Sequence, residues 1–261
     1  MDEWRQPDTP KRPSAKKSFL LMALLLLTLL ALAVYVNAWK EECRAIEVLV
    51  EGNRISSSKE ILALAKVSPN ARLFELDLYA IEQRVLNMEY VKSAAVHRDI
   101  PNRVRISIDE RVPVAAIVLD KLYYLDAEGV VLPPARSQYI FDLPVLNGSM
   151  ATATLIAGKQ TTDATVREAL RILSVAREVG DDVYKNISEL RLDANREFMF
   201  YTSEFGIPVV LGREHIGAKL VKFEGFWNSA VVREGVDMLQ YIDLRFEDQV
   251  VVRWSHKDAH S

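Results

Sequence analysis

The chain has 261 residues, more than one typical domain requires and short of three. It is 49% hydrophobic and 26% charged, an ordinary globular balance, and its net charge of −3 gives no broad basic surface for nucleic acid. A single cysteine, Cys43, excludes an intrachain disulfide and a four-cysteine zinc site.

Residues 1–18 are polar and mixed, and Pro7, Pro10 and Pro13 discourage a helix there, so a disordered tail is expected. Residues 19–36, FLLMALLLLTLLALAVYV, carry no charge. At about 1.5 Å per residue, extension of this run to Trp39 gives roughly 31 Å, enough to cross a hydrocarbon core. Every face is apolar, which argues against a half-buried core helix. Lys11, Arg12, Lys16 and Lys17 precede the run, so the positive-inside bias places the N-terminus in the cytoplasm and the remainder outside it. Ala31–Ala33 fits the small-x-small pattern of a cleaved signal peptide. The long basic tail and the continuation through Val36 favour a retained transmembrane helix over residues 19–39.

From residue 44 the period changes. Val48 and Val50 alternate with Glu47 and Glu51, and Gly52-Asn53 reads as a turn. Ser57 and Glu60 have capping-box spacing ahead of ILALA. LFELDLYAIEQRVLN reads as a second helix, with Leu78, Ile81, Val85 and Leu86 on one face. Two strands follow around Ile100-Pro101-Asn102, the second alternating Val104, Ile106 and Ile108 with charged residues. Residues 44–111 therefore read β-α-α-β-β, and Arg103, Arg105 and Arg111 are expected on a solvated strand face.

Residues 112–254 are strand-rich, with two helices expected to pack on an antiparallel sheet. One spans 165–179 and ends at Gly180. The other covers 213–230, with a stripe of Ile216, Leu220, Phe223, Trp227 and Ala230 and with Lys219 and Lys222 off it. YIDLRFEDQVVVRW, residues 241–254, reads as a closing hairpin, and residues 255–261 as a short tail. The fold class is α+β.

No catalytic, cofactor-binding or metal-binding constellation emerges. GREHIGAK at 212–219 misses the phosphate-loop pattern, because Ala218 displaces the lysine and no Ser or Thr follows. His256 and His260 lie in the tail, His97 lies on a predicted strand, and Asp181-Asp182 reads as loop. Asn147 and Asn186 head Asn-x-Ser sequons, which matter only in a glycosylating pathway.

VEGNRISSSKEILALAKV, VKSAAVHRDIPNRVRISIDERVPVA and YYLDAEGVVLP closely resemble the extracytoplasmic part of the bacterial cell-division family FtsQ/DivIB. VVLGREHIGAKL and YIDLRFEDQVVVRW match its C-terminal patterns. The resemblance implies a POTRA domain over 44–111 and a non-enzymatic scaffold of the inner membrane at the division site. Its partners would be small single-pass proteins of the FtsB and FtsL type. Further divisome membrane proteins would meet the POTRA unit. The alternative is a POTRA-containing, polypeptide-handling module of secretion or outer-membrane assembly, but no transmembrane barrel pattern follows it.

The closing strand is the expected partner site. A three-residue loop of Glu247-Asp248-Gln249 would set Phe246 opposite Val250, Leu244 opposite Val252 and Ile242 opposite Trp254, with Asp243, Arg245, Val251 and Arg253 outward. The expected partner-binding residues are Arg245, Phe246, Gln249, Val250, Val251, Val252 and Trp254. By the resemblance, Arg245 would pair with a partner carboxylate, and Phe246 and Trp254 would be aromatic anchors. The sequence departs from the family at Phe246, where Tyr is usual, and at Gln249, where Gly is frequent.

Overall fold

A computed structural model describes residues 15–45, 47–134, 141–148, 155–231 and 236–255. Most of the N-terminal tail, together with His256 and His260, lies outside them. The apolar run forms one continuous helix, α1, Ala15–Glu42, exposed along its described length. It is long and apolar enough to cross a membrane.

The first module has the expected order: β1 (Glu47–Glu51), α2 (Ser58–Ala65), α3 (Leu78–Leu86), β2 (Val91–Asp99) and β3 (Arg103–Glu110). Local chemistry places both helices. The Ser57 hydroxyl accepts from the Lys59 N–H to cap α2, and the Asp77 carboxylate accepts from the Ala80 N–H to cap α3. Leu73–Glu75 forms a separate 3-10 turn, so LFELDLYAIEQRVLN divides at Asp77 instead of running as one helix. The sheet order is β1-β3-β2, with β1 parallel to β3 and β2 antiparallel to it. Ile61, Ala65, Ile81 and Val85 of the helices pack on Val104, Ile106 and Ile108. Alternation puts Arg103 and Arg105 on the other face, where they pair with Glu47 and with Glu51 and Asp99.

The second module contains β4 (Pro113–Val118), β5 (Leu122–Asp126), β6 (Val131–Leu132), β7 (Val145–Gly148), α4 (Ala164–Val179), α5 (Asp181–Lys185), β8 (Ile187–Leu192), β9 (Phe198–Thr202), β10 (Pro208–Gly212), α6 (Ile216–Phe226), β11 (Leu239–Asp243) and β12 (Val251–Trp254). Among the described residues, nine strands form one sheet in the order β12-β11-β10-β9-β8-β7-β4-β5-β6. The fold is α+β as expected, but the sheet is mixed. β4 and β7, β7 and β8, and β10 and β11 are parallel pairs. A parallel pair needs a crossover, and α4 and α6 lie in the connections from β7 to β8 and from β10 to β11. Both helices bury their stripes on one sheet face against Leu190, Phe198, Phe200 and Val209. Phe223 meets Phe200 edge to face at 5.1 Å.

Three further expectations are corrected. Asp181-Asp182 opens the short helix α5 instead of lying in loop. Lys219 is buried, its Nζ donating to the Leu211 carbonyl at 2.9 Å, because α6 rotates this position toward the end of β10. Arg111 is not solvated. Its guanidinium bridges Asp126 at 2.7 Å and Glu128 at 3.0 Å, at the junction of the two modules.

Candidate partner-binding edge

A sheet presents unpaired backbone groups at its two outer strands. Here one end is covered. Beyond β6, the Val131 N–H donates to Lys159 O, Gly158 N–H donates to Val131 O, and Val130 bridges Gln160. The other end is β12, which among the described residues pairs only with β11. Among the described residues, the large sheet therefore has one capped edge and one open edge.

The hairpin register differs from the expected one. Ile242 lies opposite Val252, Asp243 opposite Val251, Tyr241 opposite Arg253 and Leu239 opposite Trp254, with a bulge between Leu239 and Tyr241. The connection spans residues 244–250 instead of three residues. After Asp243 the chain leaves β12. Leu244 N–H donates to Val210 O of β10, and Arg245 N–H donates to the Asp243 carboxylate in a local turn. Lys222 Nζ, on α6, holds the Phe246 and Glu247 carbonyls at 2.8 and 2.6 Å. The register moves by two, so parity is preserved. Val250, Val252 and Trp254 still pack against the core.

The Ser255 N–H donates to Met238 O on the β11 side. In an antiparallel ladder the backbone groups alternate, so Arg253 and Val251 also point to β11, while Trp254 and Val252 present N–H and C=O outward. Phe246 is 46% exposed in the connecting loop, and Gln249 is exposed there too. Trp254 is half-buried, one part in the core and one part open.

Asp243 closes β11, and Arg245 just after it turns toward the end of β10 and the start of β9. Asp243 is 4% exposed, against the expectation that it points to solvent. Arg245 covers it with Nε at 3.0 Å from Oδ1 and Nη2 at 2.7 Å from Oδ2, and reaches Glu197 through Nη1 at 2.9 Å. Burial alone would raise the Asp243 carboxyl, but the hydrogen bonds and charge of Arg245 outweigh it and hold the group below its usual range. The Arg245 guanidinium is raised in turn, first by its hydrogen bonds to Asp243. Lys219, behind them, is lowered by burial and by neighbouring Lys222. Three of the five guanidinium N–H groups are thus engaged within the chain. Two N–H groups remain, and Glu197 is the more exposed of the two acids. The structure thus places all seven expected residues on one edge strand and its loop, with Val251 turned by its backbone toward β11. Sequence reasoning missed Glu197, Lys219 and the buried role of Asp243. Only the Asp-x-Arg turn spacing carried a local signal for the last of these.

The POTRA domain, FtsQ-type, matches residues 44–111, and the region described as FtsQ/DivIB, C-terminal related, matches residues 112–252. The chain belongs to the FtsQ/DivIB family. It is 34% identical over 269 residues to the cell division protein FtsQ of Rhodothermus marinus, covering 98% of this chain and 95% of that one. It is 34% identical over 208 residues to the cell division protein FtsQ of Syntrophotalea carbinolica, covering 79% and 72%. The Salinibacter ruber cell division protein FtsQ is 26% identical, covering 88% and 90%. The long apolar helix α1 fits a membrane anchor in a family of cell-division proteins with a POTRA domain.

Proposed function

We propose that the chain is a non-enzymatic assembly protein of the divisome. It sits in the bacterial inner membrane with its N-terminus in the cytoplasm and its two modules, 44–111 and 112–254, outside. It links early and late division proteins at the septum by receiving a small single-pass partner of the FtsB or FtsL type. The observation that carries this reading is the open β12 edge opposite a capped β6 edge. A partner segment adds as the next strand, with main-chain hydrogen bonds to Val252 and Trp254 supplying affinity. Phe246 and the open part of Trp254 anchor it, and Arg245 selects an acidic side chain. The POTRA-like module meets further divisome membrane proteins through its own sheet edges, β1 or β2.

The test is a proline placed where a backbone donor faces outward. Proline is tolerated on an edge strand when its missing N–H would face solvent. Val252→Pro is therefore expected to abolish capture of the partner while circular dichroism reports a folded domain. Val251→Pro instead breaks the β11–β12 ladder and lowers the melting temperature. Undiminished partner capture by a folded Val252→Pro variant overturns strand addition.

A further inference from the structure

The anchor helix does not end in a flexible linker. Trp39 packs on Phe74 of the 3-10 turn at 6.3 Å between centroids, Lys40 lies over the same ring at 5.8 Å, and Glu41 pairs with Arg72 at 3.0 Å. Backbone hydrogen bonds then tie residues 43–45 to residues 70–73. The first module is thereby fixed against the last turn of α1. Counting from Trp39, where the span of roughly 31 Å ends, Glu42 lies about 4.5 Å farther along the axis. The headgroup layer of one leaflet is about 5–8 Å deep. These residues and the parts of the module that touch them therefore lie at headgroup depth.

A cleft of about 260 Å³ opens there, lined by Trp39, Glu42, Arg44, Asn70, Pro101 and Asn102. It brings the last turn of the membrane helix beside the tip of the β2–β3 turn, where Ile100 is 54% exposed. Glu42 has no ion pair, and Arg44 has only one side-chain hydrogen bond, to the Asn70 carbonyl at 3.1 Å. Among the described residues, an anion and a cation without ion pairs thus share a cleft with two amide side chains, beside an interfacial tryptophan. We propose that this cleft seats the headgroup of a zwitterionic aminophospholipid. Its phosphate rests on Arg44 and its ammonium on Glu42, and the first module is thereby held flat on the bilayer. The occupant follows from continuity with α1, since the leaflet that surrounds Trp39 supplies the lipid. The inference rests on the reading of α1 as a retained anchor.

The experiment uses the full chain in phosphatidylcholine vesicles doped equally with phosphatidylethanolamine and phosphatidylglycerol. It reads by native mass spectrometry the lipid that stays bound after extraction. The wild-type chain is expected to retain phosphatidylethanolamine over phosphatidylglycerol. A surface cation near a phosphate is worth a factor of about five, so Arg44→Gln lowers retention about fivefold and Arg44→Lys restores it. Glu42→Gln removes the ammonium partner and reverses the preference toward phosphatidylglycerol. Both side chains are exposed, so these variants keep the fold. A membrane-bound wild-type chain without lipid preference, or variants with wild-type retention, overturns the cleft and leaves the anchor standing. A chain that leaves the vesicles altogether overturns the anchor, and the cleft with it.

Discussion

Arg245 is both a constituent of the fold and a candidate partner-binding residue. Its guanidinium neutralises Asp243, which is nearly out of water. Removing it leaves a buried carboxylate with only Lys219 nearby, a costly arrangement in principle. Arg245 itself is 45% exposed, so solvent screens the pair, and Arg245→Ala is expected to cost about 1–2 kcal/mol of stability. The sign with pH follows from the depressed carboxyl. A group whose folded pKa lies below its unfolded value stabilises the fold above the unfolded pKa, and that contribution is lost as pH falls through the folded one. The stability gap between wild type and Arg245→Ala should therefore be full at about pH 7 and narrower at about pH 3, where the pH has fallen below the ordinary aspartate value. Urea melts at the two pH values measure it. An equal gap at both would mean that Arg245 acts through packing of its alkyl stem and not through Asp243. This duty inside the chain also predicts that charge removal at Arg245 affects partner capture and stability together, whereas Phe246→Ala, at an exposed ring, affects capture alone.

At the scale of elements, the signals that could be read were local ones. Gly52-Asn53 marks a turn, and the structure shows why a glycine is required. Its φ is +90°, and a Cβ there would lie 2.0 Å from the Ile108 carbonyl oxygen. That atom belongs to the backbone of β3 and cannot swing aside. Gly52→Ala is expected to cost about 3 kcal/mol or more in a urea melt of the chain. A melt within about 0.5 kcal/mol of wild type would show that the turn relaxes freely. The cap of α2, the apolar face of α3, the alternating strand β3 and the stripe of α6 were legible for the same reason, since caps and periodicity are written within a few residues. The hairpin β11–β12 was legible in parity but not in register. Alternation decides which side chains face the core, so Val250, Val252 and Trp254 fall where expected. Register depends on where the chain turns. That is decided by Lys222 and Val210, which are distant in sequence and pull residues 244–247 away from β12. The mixed sheet was hidden likewise, because parallel pairing of β4 with β7 and of β10 with β11 is a matter of tertiary order. Lys219 reads as a solvated charge until the end of β10 is seen above it.

At the scale of the molecule, the proposed strand addition at β12 needs that edge at a defined place relative to the anchor, and the two modules are joined in a way that defines it. Tyr90, Ala116, Tyr124, Val130 and Leu132 form a core between the modules, with Ile55 against it. The Tyr90 hydroxyl donates to Pro133 O at 2.7 Å, and its burial, foremost, raises its pKa. Arg111 holds Asp126 and Glu128, and Lys92 reaches Glu128 at 2.7 Å. Asp126 is itself locked by the Glu128 and Val130 amides, so the pairing surface does not drift. Interfaces between domains are often small and polar, and such domains then move independently. This one has an apolar centre and a half-buried ion network, and the modules should unfold together. Calorimetry of the chain is expected to show one cooperative transition for the two modules. Tyr90→Ala, which removes an aromatic side chain from the shared core at a cost of about 3 kcal/mol, combined with Arg111→Ala should split it into two. In that double variant the β12 edge is intact, so partner capture in solution should be close to wild type. Rescue of division in cells that lack the protein should nevertheless fail, because the edge is no longer held at a fixed place above the anchor. Full rescue by a variant with two separate transitions would show that division needs the edge and the anchor on one chain but not in one rigid body.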